Sequence, residues 1–456
     1  MASIRARLDR IKGDPAEVVD PTVVERACRE CGHCWRRRTL DPATTLGMFV
    51  AQVAHGNAAI ARMARLTGGE FSESAYCQAR MRLPVEVVRA AFEASTARRL
   101  AGRAPSSGTW CGHRVALIDG TGVSVPDTPE LRAAFGTSRQ CVPGSGLPLV
   151  RALTVFDACT GMLLAMHTAP ATAHDLRHAH DLHQAMAPGD VLVGDRGLCS
   201  YVHLHKLVAA GYHGLFRASE SWNIPFPASP GPRPRRPYGR HRTHAPRLVR
   251  RINEDDQIIE ILKPRNRTAH MSPEEFALVP AKMTVRVVRF TVNLPGVRTR
   301  RITLLTTLLD PDRYPARALA ELYLTRWRIE INLRHLKRTM GMDRLRCQTV
   351  AGVIKELLVF AAVYNAVCGL RAQAARVLGV EPVRLSFIDT LRDLAAALAD
   401  HLAPRRRAPL LPRLWTPRQP RFHPRAIKHN PSSFKVMSLP RRTIVEWMNR
   451  RHIEAI

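Results

Sequence analysis

The chain has 456 residues, a length that predicts two to four domains rather than one compact core. Lysine and arginine total 69 and aspartate and glutamate total 38, so the net charge is +31 and the surface attracts polyanions such as nucleic acid. A hydrophobic content of 45% excludes disorder for most of the chain.

The composition also disfavours a membrane or secreted protein. The longest uncharged stretch of the C-terminal half, Leu357 to Leu370, has about 14 residues, whereas a span needs about 20. The opening MASIRARLDRIKGDPAE has no apolar segment typical of a signal peptide. The ten scattered cysteines then indicate reduced thiols, and a cytoplasmic location without a membrane partner is expected.

Residues 1–105 are predicted to form a helical N-terminal domain. Apolar residues recur at three- and four-residue spacing in Thr44 to Leu66 and in Pro84 to Ala97, where Pro84 is suited to a helix start. The polar stretch Ala104 to Gly112 is a plausible boundary. Cys28, Cys31 and Cys34 suggest a zinc site at first, but their spacing fits one helix face better and the fourth ligand is not evident.

Residues 106–218 are predicted to form an α/β layer with a mixed sheet. Apolar runs typical of strands occupy Arg114 to Asp119, Leu149 to Phe156, Met162 to His167, Asp190 to Asp195 and His213 to Arg217. Helical spacing occurs between them at Asp175 to Ala187 and at Tyr201 to Ala210.

Residues 219–312 are predicted to be a β-rich insertion. It opens with Phe226 to Arg251, whose Pro, Gly, Arg and His content indicates a loop or a disordered arm. Period-two patterns follow at Ile258 to Ile261, Thr284 to Val292 and Arg301 to Leu308. Residues 313–400 are predicted to be helical, and residues 401–456 form a basic, Pro-rich tail.

The helix expected over Ala316 to Met340 carries one carboxylate among cationic and aromatic groups. At about 100° per residue, one face collects Tyr323, Arg326, Trp327, Glu330, Arg334 and Lys337. An apolar stripe lies beside that face, at Leu322, Ile329, Leu333, Leu336 and Met340. Taken alone, the pattern fits a solvated helix with ordinary Glu–Arg pairs.

Two further carboxylates change that interpretation. Asp119 ends a predicted strand in LIDGTG, and Asp195 ends another in VLVGDRG, with glycines that permit close approach of a ligand. Ligands gather at the carboxyl ends of strands, and two aspartates with Glu330 suit two Mg²⁺ ions. Each aspartate alone is more simply a turn residue. Asp175 is interpreted as a helix N-cap, with a supporting position near the site as the alternative.

The pattern Tyr323-x2-Arg326-x3-Glu330-x6-Lys337, together with LIDGTG and GDRG in order, resembles the DDE transposases of the insertion-sequence-four family. The segments at CGHCWRRRTLDPATTLGMFVAQVAHGNAAI and QARMRLP resemble the helical N-terminal domain of that family, and the likeness covers about residues 20–375. The resemblance implies a ribonuclease-H-like catalytic core and a DNA-binding role for the N-terminal domain.

The resemblance also implies a site and a reaction. Asp119, Asp195 and Glu330 would bind two Mg²⁺ ions, with Mn²⁺ as a substitute. DNA would be held by Tyr323, Arg326, Lys337 and the neighbouring Arg334, and Trp222 would stack a flipped base unless it is an ordinary packed aromatic. The substrates would be double-stranded DNA, namely the terminal inverted repeats of the element and a target. A homodimer in a synaptic complex and association with a bacterial nucleoid are implied as well.

Two other functions remain open on the sequence. One is a nuclease of the same fold, which releases ends without joining them to a target. The other is a non-catalytic DNA-binding relative, against which the intact acidic triad argues.

Overall fold

The computed structural model describes residues 19–402 apart from 37, 67–70, 102–108, 138–145, 220–221, 223, 227–245, 268–270 and 293–299. The predicted tail at 401–456 therefore lies almost wholly outside the described residues, as does most of the loop within Phe226 to Arg251. The helices are α1 Pro21–Glu30, α2 Pro42–Ala54, α3 Ile60–Leu66, α4 Glu73–Arg82, α5 Val85–Ala101, α6 Pro129–Phe135, α7 Tyr201–Ala209, α8 Pro273–Leu278, α9 Ala316–Leu324, α10 Trp327–Arg334, α11 Val350–Leu378 and α12 Phe387–Leu402.

One nine-stranded sheet runs through the described residues in the order β3-β2-β1-β4-β5-β9-β8-β7-β6. Its strands are β1 Val115–Ser124, β2 Leu149–Asp157, β3 Leu163–Pro170, β4 Val191–Gly194, β5 His213–Arg217, β6 Arg247–Asn253, β7 Asp256–Leu262, β8 Lys282–Val292 and β9 Arg300–Thr306. β1, β4 and β5 are parallel neighbours, and β2 and β3 extend the sheet antiparallel to β1. This confirms the mixed α/β core, and the order of β1 to β5 is that of the ribonuclease-H-like fold.

Helices cover both faces of the sheet. β4 is buried at all four positions, as expected for a parallel strand that is covered on both sides. The first core joins the N-terminal helices and α9 to α11 to one face, through residues such as Leu117 and Val193. The second core joins α7 to the other face, through residues such as Ile118 and Leu192.

The predicted insertion continues the core sheet. β9 pairs antiparallel with β5, and β8, β7 and β6 follow outward. The interpretation of Phe226 to Arg251 as a loop is wrong at its end, because β6 begins at Arg247. Among the strands that the structure describes, β6 is an exposed edge strand with β7 as its single neighbour, and its arginines are exposed.

Three predicted helices differ in the structure. The helix over Thr44 to Leu66 is divided into α2 and α3 by a turn in which Gly56 and Asn57 have positive φ. Asp175 to Ala187 forms two 3₁₀ turns, Asp175–Arg177 and Ala179–Ala185, in place of one α-helix. The helix over Ala316 to Met340 is interrupted at Thr325 and Arg326 and ends in a π-helical turn, His335–Thr339.

The long helix α11 holds the N-terminal helices to the rest of the molecule. It has the length and apolar composition of a membrane span, yet 94% of its most apolar window is buried inside the protein, as in a core helix. Lys355 Nζ donates to the carbonyls of Arg80, Met81 and Leu83 at 2.7–3.1 Å, which satisfies the end of α4. The carboxylate of the fully buried Glu356 accepts from the Asn57 side chain at 2.6 Å.

We expect Lys355→Met to lower the free energy of unfolding by about 2–4 kcal/mol, because it removes the donor of two buried carbonyls and one partly buried carbonyl. Denaturant unfolding followed by circular dichroism measures this change. Lys282→Met is the control, since Lys282 is 65% exposed and pairs with Glu260, and it should cost less than about 1 kcal/mol. Equal effects of the two substitutions would contradict the proposed anchoring role of Lys355.

Candidate active site

The register of the sheet brings Asp119 and Asp195 to the same level. Leu117 of β1 is paired with Val193 of the parallel strand β4, so two residues further on Asp119 stands opposite Asp195. Side chains alternate along strands, and neighbouring strands lie about 4.8 Å apart. Both carboxylates therefore lie on the face of Leu117 and Val193, which α9 to α11 cover.

Arg326 connects Asp119 to Glu330. Its Nη1 lies 3.7 Å from Asp119 Oδ2, and its Nη2 lies 3.3 Å from Glu330 Oε1. The Arg326 side chain is 18% exposed, so the guanidinium is largely shielded from water. Two acids that are distant in the chain, Asp119 and Glu330, thus meet at one cation, and the charge of Asp195 reaches Asp119 from the neighbouring strand end.

The break between α9 and α10 sets the position of Arg326. The Thr325 hydroxyl donates to Leu322 O at 2.7 Å, and Arg328 N and Ile329 N bond three residues back, to Thr325 O and Arg326 O. These bonds tighten the helix locally into a 3₁₀ turn. The ideal helical spacing used on the sequence therefore does not apply across this point, although the predicted residues still converge.

The π-helical turn places Lys337 against β1. Met340 N bonds to His335 O, five residues back, at 2.9 Å, which widens the helix by one residue. Lys337 Nζ donates to Thr121 Oγ1 at 3.1 Å and to Gly122 O at 2.8 Å. An ammonium group therefore lies two to three residues from Asp119 along the same strand.

The other residues of the predicted DNA-binding face are distributed differently. Tyr323 is buried, and burial raises the pKa of its hydroxyl. Arg334 is exposed at the end of α10, and Trp327 is 65% exposed. Trp222 is half-buried against the second core, which is the packing that the alternative interpretation of this residue expects. Its role in base stacking stays a prediction.

Burial is the main cause of a raised pKa at Asp119. Burial and then the neighbouring charge of Asp195 raise its pKa to about 6, against the opposing effects of the Gly120 N–H and Arg326. The Gly120 N–H donates to Asp119 Oδ1 at 2.8 Å. Asp119 is thus a buried carboxyl with a second carboxylate beside it, a condition that a bound cation would relieve.

Asp175 supports the site from the opposite side of β1. It forms a bidentate pair with Arg151 of β2, and its charge contributes to the raised pKa of Asp119. The N-cap interpretation is wrong, because His174 is the cap of this turn and Asp175 follows it. Arg151 was not identified from the sequence; its only signal is a cation within an otherwise apolar strand.

The glycines near the carboxylates admit the protein's own side chains. A Cβ on Gly120 would lie 2.5 Å from Asp175 Oδ2, and one on Gly194 would lie 2.8 Å from the Phe216 ring. The space that these glycines were expected to leave for a ligand is therefore filled at both positions by another side chain of the protein.

The cysteine-rich segment does not lie on one helix face as expected. α1 ends at Glu30, so Cys28 is buried in the helix while Cys31 and Cys34 are exposed beyond it. Among the described residues, these cysteines do not belong to any group that could hold a metal ion. The Arg36–Arg38 cluster is only partly described, and Arg405–Arg407 lies outside the described residues.

The transposase DDE domain family matches residues 110–366, which is more than half of the chain and includes all three acids. The chain belongs to this family. A relative is the transposase InsG for insertion sequence element IS4 of Escherichia coli strain K12, which is 24% identical over 385 residues, covering 82% of this chain and 80% of InsG. The resemblance to the insertion-sequence-four transposases is thereby confirmed.

Among solved structures, the chain is similar to the piggyBac transposase in a synaptic complex with hairpin DNA. The TM-score is 0.46 and the identity is 11%, with 87% of this chain and 81% of that chain covered. From its family, the chain is a DNA transposase, an enzyme that acts on DNA and depends on divalent metal. This confirms the function predicted from the sequence.

Without divalent ions, we expect Asp119→Asn to raise the free energy of unfolding at pH 8 by about 1–3 kcal/mol. A raised pKa means that the folded state penalises the charged carboxylate. The penalty is absent below about pH 4, grows as the pH rises, and is complete above about pH 6.

Denaturant unfolding in EDTA at pH values from 4 to 8 measures this difference. The stabilities of the wild type and the variant should converge near pH 4. Asp343→Asn is the control; Asp343 pairs with Arg338, so neutralising it should not stabilise the protein at any of these pH values. A gain at Asp119 that does not change with pH would contradict the assignment.

Proposed function

We propose that Asp119, Asp195 and Glu330 hold two Mg²⁺ ions, and that the site nicks DNA at the ends of an insertion element. The observation that carries the proposal is the register of β1 and β4, which sets the two aspartates level on one face, with Arg326 linking Asp119 to Glu330. Carboxylate oxygens are the donors that Mg²⁺ prefers, and Mn²⁺ accepts the same set.

The residues fit such ions by charge as well as by donor type. The raised pKa of Asp119 reflects a buried carboxyl with a second carboxylate beside it. When bound, two Mg²⁺ ions would activate the attacking oxygen and stabilise the leaving oxygen of a phosphoryl transfer. The role of the protein would be to hold three carboxylates in place, and Arg326 would keep Glu330 turned toward the strands.

The cationic side of α9, α10 and the π-helical turn is proposed to bind the DNA backbone. Lys337 projects onto β1 near Asp119, and Arg326 stands between two of the acids. Charged donors of this kind bind phosphate oxygens strongly. Arg334, which is exposed, would contact a more distant phosphate, and the buried Tyr323 would support Arg326 from beneath.

The proposed reaction has two steps at this one site. Hydrolysis at the terminal inverted repeats frees a 3′ hydroxyl, and that hydroxyl then attacks a phosphodiester of target DNA. Two element ends must be held together for a complete transfer, so a homodimer is proposed. The N-terminal helices are proposed to bind the repeats, and the five-part division of the chain stays a prediction. A bacterial nucleoid would be the place of action.

Replacing Asp195 or Glu330 by Ala is expected to lower Mg²⁺-dependent strand cleavage by more than about a hundredfold, because the carboxylates act only as a set. The measurement is cleavage of duplexes that carry the inverted repeats flanking the gene. Glu321→Ala is the matched control, since Glu321 lies on α9, is 63% exposed and pairs with Arg317. Full activity in either acidic variant would reject the metal cage.

The products separate the proposed function from its alternatives. Joining of the cleaved ends to a plasmid target supports a transposase with strand transfer. Cleavage without any joining would indicate a nuclease of the same fold. Repeat-specific binding without cleavage in the wild-type protein would indicate a DNA-binding relative.

Lys337→Gln is expected to weaken binding of the end DNA and to reduce the slope of log K against log salt by about one, because one phosphate contact is lost. Binding titrations at several salt concentrations measure this slope. Lys206→Gln is the control, because α7 packs on the opposite face of the sheet. An unchanged slope for the Lys337 variant would show that Lys337 only braces β1.

A further inference from the structure

Two histidines and an aspartate converge at a place separate from the acidic triad. His167 lies on β3. His178 lies between the two 3₁₀ turns that follow β3, and Asp181 lies in the second of these turns. Both imidazole Nδ1 atoms approach the same carboxylate oxygen, Asp181 Oδ2, at 3.2 Å from His178 and 3.8 Å from His167. One donor atom from each residue lies within 4.8 Å of the other two, and no second group of this kind occurs among the described residues.

The cluster is both ordered and accessible. The rings of His167 and His178 stack with centroids 4.3 Å apart and planes 17° apart. Their side chains are 32% and 22% exposed, and that of Asp181 is 38% exposed. An ion can therefore enter without unfolding the turns.

The donor set selects a class of ion. Two imidazole nitrogens and one carboxylate oxygen suit Zn²⁺ and related transition metals, with a water in the fourth position, whereas Mg²⁺ prefers oxygen alone. In a tetrahedral site with bonds near 2.1 Å, donors lie about 3.4 Å apart. The partly exposed side chains would reach this spacing by closing on the ion by about an ångström.

We propose that His167, His178 and Asp181 form a second metal site, which binds a zinc-class ion and is independent of the Mg²⁺ centre. Such an ion would join β3 to the turn region that begins with Asp175. The Asp175 carboxylate pairs with Arg151 and lies against Gly120, next to Asp119. The ion is therefore assigned a structural role: it fixes the segment that supports the catalytic strand.

The test is direct metal binding to the full chain, freed of metal with a chelator. Zn²⁺ is titrated in competition with a chromogenic zinc chelator, and Co²⁺ is used as a spectroscopic substitute. The wild type should bind Zn²⁺ at this site and show the visible bands of Co²⁺ bound by nitrogen and oxygen. His167→Gln and His178→Ala should each weaken the binding at least tenfold. Asp119→Ala should leave it unchanged, although this variant loses Mg²⁺-dependent cleavage.

Two controls account for the other ligands of the chain. His205→Ala removes a histidine on α7 outside the cluster, and Cys31→Ser with Cys34→Ser removes the exposed cysteines. Neither control should weaken the binding. No Zn²⁺ binding by the wild type, or binding lost only in the cysteine variant, would overturn the proposal. Circular dichroism checks folding, and if His178→Ala does not fold, His167→Gln on the regular strand β3 decides the result.

Discussion

The parallel pairing of β1 with β4 is the constraint on which the proposed metal site depends. The register of these strands places Asp119 level with Asp195, which is the first residue after β4. β1 is also paired along its length with β2, so Asp119 lies inside a strand that is held on both sides. A carboxylate placed in this way cannot retreat from its neighbour. Burial is the main cause of its raised pKa and the charge of Asp195 adds to it, a condition that a bound cation would relieve.

The third acid is placed by a helix that departs from ideal geometry twice. The 3₁₀ turn at Thr325 and the π-helical turn at His335–Thr339 lie on either side of α10. The first directs Arg326 to Asp119 and Glu330, and the second directs Lys337 to β1. Departures of this kind are frequent at functional sites, since they aim side chains that a regular helix would spread over its surface. Here one helical segment carries an acid, a cation that bridges two acids, and Lys337, which contacts β1 near Asp119.

The sequence predicted the strands of the core, because apolar runs are local signals, and the carboxylates at two strand ends and on one helix made the three acids candidates whose role stays a prediction. Asp119, Asp195 and Glu330 could be named before any geometry was available. Local patterns did not reveal Arg151 or the role of Asp175, because their pairing joins a strand to a turn that is formed only in three dimensions. The edge strand β6 was also missed, because its arginine-rich composition is typical of a loop. Arginines are compatible with this strand because it lies at the edge of the sheet, where they remain exposed to solvent.

The way in which β9 returns to β5 explains how a long insertion is compatible with a precise site. The chain leaves the core at the end of β5, at Arg217, and returns to it in β9, which begins at Arg300. Within β9, Leu304 is paired with Arg217. Because entry and exit lie on adjacent strands, β6 to β8 add only to the outer side of the sheet. The segment that follows β9 therefore starts from a strand beside the core, and from there Arg326, between α9 and α10, reaches Asp119. The second and third acids are thus distant in the chain, while the return of β9 to β5 brings the helix that carries Glu330 back to the core strands.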